Sequence, residues 1–249
     1  MRKSMIIMLY SALLVLMTGC QSWFNSIPKD TVMVKKIVQE HKNSEIEYEG
    51  VLSQDAVKTL SVQAVNKYLD KKLTLDHAQF EIMAVDQNKL KELLKETSHV
   101  PGPAVMDGGR AQQTMQLTSD IQAITGGLYY VTLTSSEVPE DSYDIVLNAK
   151  DGDVLKILRS YRESRAMPRN SEEKVFDIAD RYVEEHGSYP LSELTQQLDL
   201  TRWGSNVELY YTSKDNKTLK YSVVINYSSN EVVGFSKDVM ALLSYNSKR

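Results

Sequence analysis

Apolar side chains recur every three to four residues in some stretches of the chain and every second residue in others. After Ser53, the residues Val57, Leu60, Ala64 and Tyr68 form one stripe, which predicts a helix to about Leu69 capped by Ser53. Val34, Ile37, Val38 and His41 predict a helix over 30–41, and QNKLKELLK predicts a shorter one over 87–95. Asn170-Ser171-Glu172-Glu173 has the form of a capping box and opens a helix to about His186, with Val175, Ile178, Ala179, Tyr182 and Val183 on its buried side. Alternation predicts strands at 45–49, 80–85, 128–134, 143–149, 154–161, 206–212, 219–226 and 231–236. Residues 98–127 follow neither period. Their two prolines and five glycines predict a long loop with a helical turn near 118–124.

The two halves of the chain share this plan. Tyr143–Ile157 laid on Tyr221–Phe235 without a gap matches Tyr143 with Tyr221, Val146 with Val224, Asn148 with Asn226 and Val154 with Val232. In the first copy Asp151-Gly152 marks the turn, and in the second Ser228 to Asn230 makes it. Such self-similarity predicts an α+β fold of two related units, each a helix packed on a small antiparallel sheet. The first unit is expected over 30–161, with an insertion at 98–127, and the second over 171–249. An Arg-rich linker, 162–170, falls between them.

A capped amphipathic helix followed by a hairpin reading YDIVLNAKDGDVL resembles the PepSY type of domain, with Asn148, Gly152, Asp153 and Val154 fitting that family's hairpin pattern. Asn230 stands where the second copy would carry the glycine, a place Asn tolerates because it enters the left-handed region more readily than most residues. The resemblance implies inhibitory or regulatory contact with a protein partner.

Met1 to Cys20 combines a basic start at Arg2 and Lys3 with a thirteen-residue apolar stretch over 5–17, too short to span a bilayer and typical of a secretory signal. Its end, Met17-Thr18-Gly19-Cys20, resembles the lipobox of bacterial lipoproteins. That resemblance implies a signal over 1–19 that is removed, and Cys20 as an acylated N-terminus on the outer face of a bacterial cell membrane. Residues 20–29 read as a tether reaching at most ~35 Å. Trp23 and Phe24 in it can anchor in headgroups or pack on the domain. Cys20 is the one cysteine of the 249-residue chain, so no internal disulfide is available.

Charge narrows the partners further. With 29 basic and 33 acidic residues the chain carries −4, and no general nucleic-acid binder is expected. The lipid bilayer, met through acylated Cys20, and an envelope protein are the expected partners. Arg159, Arg162, Arg165 and Arg169 cluster within eleven residues; they read either as a contact surface for that partner or as a solvated linker with internal pairs. His41, His77, His99 and His186 show no metal-ligand spacing, no nucleophile elbow occurs, and Met106–Arg110 lacks the frame of a phosphate cradle. No cofactor, metal or catalytic residue is therefore expected. The expectation is a non-catalytic lipoprotein that binds or modulates a protein partner in the cell envelope; the alternative is one that binds a cell-wall or small-molecule ligand.

Overall fold

The computed structural model describes residues 50–97, 119–124, 126–161 and 172–247. In its first half, helix α1 (Gln54–Leu69) leads through a single 3-10 turn at Leu75–His77 into β1 (Ala78–Val85), which is followed by α2 (Gln87–Thr97). Strands β2 (Leu128–Ser135), β3 (Ser142–Asn148) and β4 (Val154–Ser160) complete that half. The second half holds α3 (Glu172–His186), β5 (Leu194–Gln196), β6 (Asn206–Ser213), β7 (Leu219–Asn226), β8 (Val232–Lys237) and a closing helix, α4 (Val239–Ser247).

Local chemistry sets these boundaries. The Ser53 hydroxyl accepts from the Ala56 amide at 3.3 Å to cap α1, and Asp70 ends it in the left-handed region. The Asn66 amide clips the exit by bonding both the amide and the carbonyl of Leu73, at 2.7 and 2.9 Å. At the end of α3, the Tyr221 hydroxyl accepts from the Ser188 and Tyr189 amides at 2.6 and 2.9 Å. A core side chain of the second half thus fixes where its own helix stops.

Where two small sheets were expected, the strands form one antiparallel sheet of eight, in the order β1-β2-β3-β4-β8-β7-β6-β5. The two sets of four meet through three residue pairs, Lys156 with Ser236, Ile157 with Phe235 and Leu158 with Gly234. The reason is a matter of satisfied backbone. Separate sheets would each present β4 and β8 as open edges in the middle of the molecule, and pairing them fulfils those donors and acceptors. Gly234 permits the close approach, since a Cβ there would come within 2.8 Å of Leu158 Cδ1.

Several positions in the two halves correspond. Val57, Ser61 and Val65 of α1 and Val175, Ala179 and Val183 of α3 are the fully buried positions of their helices and run in the same order at the same intervals. The ladder shifts register between Val146 and Leu147 in one hairpin and between Val224 and Ile225 in the other. Gly152 and Asn230 take positive φ at the same place in their turns, and each amide bonds the carbonyl four residues earlier, Asn148 and Asn226.

Both helices lie on one face of the sheet and share a core with inward residues of seven strands, among them Val131, Ile145, Ile157, Val207, Val223 and Phe235, and Leu194 of β5. Each such buried aliphatic or aromatic side chain contributes about 1.5–3 kcal/mol. The other face is covered in pieces. Leu90 of α2, with Ile121 and Ile124, packs on Val85 and Leu128, while α4 places Val239 and Met240 beside Val146 and Leu155. Farther along α4, Ala241, Leu242 and Tyr245 cover Leu200, Tyr210 and Leu219. Arg202 ties that helix down by donating to the Tyr245 carbonyl at 2.7 Å. No helix among the described residues is long and apolar enough to cross a membrane.

Candidate functional site: a groove between two helix ends and an open sheet edge

Because α1 and α3 both run toward the β4–β8 joint, their C-terminal turns converge above it. The space between them is a groove of about 510 Å³ that residues of both helices and of the β7–β8 turn line. Tyr68 and Tyr182, two of its lining residues, belong to an aromatic cluster. Phe235 stacks with Tyr68 at 5.9 Å between ring centroids and meets Tyr182 edge-on at 5.4 Å. The Tyr182 hydroxyl donates to the Tyr68 carbonyl at 2.8 Å, which joins the two helices directly, and burial pushes its pKa well up.

His186 sits in this cluster, 4.4 Å from the ring of Tyr182 and 5.2 Å from that of Tyr68. Only 9% of its side chain is exposed, and its Nδ1 is buried without a hydrogen-bond partner. Burial lowers its pKa below the ordinary imidazole value of 6.5; Glu185 opposes that shift and Lys67 adds to it. Burial thus favours the neutral ring over the protonated one. In the unfolded chain this imidazole binds its proton more readily than in the fold. Its contribution to stability is accordingly present above pH 6.5 and lost as pH falls through the folded pKa. Urea midpoints measured at pH 7.5 and pH 5 should differ in the unsubstituted protein, and His186→Leu should narrow that difference. An unchanged pH response in the variant would show that the ring is not buried in neutral form.

The rim is charged, with Lys67, Asp70, Lys71, Glu185 and Glu231 around the opening. The Lys67 ammonium lies 5.0 Å from the centroid of Tyr68, over the face of its ring. Glu231 reaches Arg159 Nη1 at 3.5 Å. Arg159 is held more firmly by Asp141, whose Oδ2 accepts from Nη2 at 2.8 Å and from Nε at 3.2 Å, and its guanidinium lies 5.0 Å from the centroid of Tyr161. On the other side of the joint Lys237 pairs with Asp153 at 2.6 Å. Ion pairs therefore cross between the halves on both sides of the joint.

Of the residues singled out in the sequence, Arg159 is thus engaged in internal pairs. Cys20, Arg162, Arg165 and Arg169 lie outside the described residues, as do His41 and His99. His77 is on the surface with Glu137 Oε1 at 2.6 Å from its Nδ1. No group of three or more metal-ligating side chains occurs among the described residues. The groove leaves little trace in the sequence. Its one sequence signal is the Tyr182–His186 spacing, which puts two ring-bearing polar residues on one helix face, a pattern shared by ordinary core-facing positions.

The second distinctive surface is β1. It pairs along all eight residues with β2, and no strand among the described residues pairs with its outer edge. Phe80 and Ile82 are half-buried on the helix side, while Met83 on the opposite side is 58% exposed. The other end of the sheet is β5, only three residues long.

No family model and no curated protein matches this chain. Among solved structures, the chain is similar to one described as the Bacillus megaterium YpeB C-terminal domain, at 12% identity and a TM-score of 0.43. The alignment covers 76% of this chain, which spans 65% of the length of that one.

Proposed function

We propose that this chain is a lipid-anchored extracytoplasmic protein that binds a protein partner without turning over a substrate, and that its two halves descend from one PepSY-like unit. The observation that carries the binding reading is the open β1 edge. An eight-residue strand whose outer edge pairs with no other strand among the described residues can accept an extended segment of a partner, with main-chain hydrogen bonds giving affinity. Phe80 and Ile82 on one side and Met83 on the other offer alternating apolar contacts that give such a segment its register. The anchoring reading rests on Cys20 and the signal before it. Descent from one unit is supported by the matching register shifts and turns, and by the pairing of Ile157 with Phe235, each at the same place in its hairpin. Two copies of a surface that meet through the same residue are what a twofold interface produces.

A photoreactive benzoylphenylalanine in place of Met83 tests the binding reading in cells. Illumination is expected to yield a discrete adduct in the membrane fraction, and the same probe at Leu198, equally exposed on the second half, is expected to yield none. In a Cys20→Ala background the adduct should leave that fraction. Identical adducts from both positions would refute strand addition at β1.

A further inference from the structure

We propose that the groove between the ends of α1 and α3 binds an organic cation, an ammonium or guanidinium group carried on a flexible chain. This inference stands apart from the β1 reading and uses none of its residues. Four features of the groove favour the same chemistry. Two helix C-termini converge there, each carrying about half a unit of negative charge on its last carbonyls. Asp70 and Glu185 stand at the opening, with Glu185 Oε1 3.9 Å from His186 Nε2. Tyr68 and Tyr182 are among the lining residues, and the face of a tyrosine ring attracts a cation. His186 lines the groove with nine-tenths of its side chain buried and its Nδ1 without a hydrogen-bond partner.

The chain already places one cation there. Lys67 Nζ over Tyr68 occupies the kind of position a ligand cation would take, and Lys67 is an exposed residue with a flexible four-carbon stem. An incoming cation therefore competes with Lys67. That competition gives the inference a test with opposite signs. Removing an acid should weaken binding, whereas removing Lys67 should strengthen it.

The experiment follows backbone amide shifts of Tyr68, Asp70, His186 and Val232 in the mature chain, residues 20–249 with Cys20→Ser, during titration with agmatine, spermidine and N-acetyl-arginine amide. N-acetyl-glutamate amide serves as the anionic control. Saturable shifts with millimolar dissociation constants, weakened by salt, are expected for at least one cation. Glu185→Gln should weaken that binding about two- to fivefold and Lys67→Met should strengthen it by a similar factor, the size expected of one exposed charge. Both substituted residues are exposed, so both variants should fold, which an unchanged urea midpoint verifies. Saturation by the capped arginine alone would identify a basic peptide side chain as the ligand, and saturation by the free amines alone would identify a polyamine. The proposal fails if no cation saturates, if the anion moves the same amides, or if Lys67→Met weakens binding.

Discussion

Replacing Phe235 with alanine is expected to lower the unfolding free energy by about 3–5 kcal/mol, the cost of a buried aromatic truncated where its surroundings cannot collapse. The side chain is 1% exposed and touches the rings of Tyr68, Tyr182 and Tyr221, while its backbone pairs with Ile157 across the joint. It therefore belongs to the core of both halves at once. Urea unfolding followed by far-UV dichroism and by tyrosine fluorescence should show one transition in the parent and one, at lower urea, in the variant. A loss below about 1 kcal/mol would contradict this packing. Two separate transitions in the parent would mean that the halves fold as independent units despite their common sheet.

Gly127→Ala should cost about as much, by a different route. Gly127 has φ of +92°, where a side chain is strained, and a Cβ there would lie 2.3 Å from the carbonyl oxygen of Val85, far inside contact distance. Neither group can yield easily. Val85 closes β1, and the Gly127 carbonyl accepts from the Ala149 amide at 3.0 Å in the β3–β4 turn. A loss of about 3 kcal/mol is expected, with faster amide exchange along β1 than along β7. If the variant keeps its stability within about 1 kcal/mol, this tight contact does not exist in solution.

The sequence reveals elements better than it reveals what joins them. Helix α1, helix α3 and the two central hairpins are legible because amphipathic period and turn chemistry are local properties. The β4–β8 pairing is not, since only three residue pairs make it and nothing in Lys156–Leu158 or Gly234–Ser236 distinguishes an edge strand from an internal one. Helix α4 also escapes notice. Its run Val239-Met240-Ala241-Leu242-Leu243 is apolar on every side, and a continuous apolar run carries no period. At three residues, β5 is shorter than any alternation can mark. The groove was hidden for the same reason as the joint. Tyr68 and His186 are 118 positions apart, and each reads in isolation as the last polar-tipped residue of a helix.

The two ends of the sheet differ in a way that bears on assembly. At β1 the sheet ends in eight residues of unpaired backbone among the described residues; at β5 it ends in three, hemmed by the turns at Leu191–Glu193 and Leu198–Leu200. Growth of a sheet from molecule to molecule needs a donor edge and an acceptor edge of comparable length on each copy. Among the described residues the sheet has one long open edge. A segment added at β1 would therefore terminate a chain of pairings instead of extending it, so an added strand would not seed a fibre of this protein.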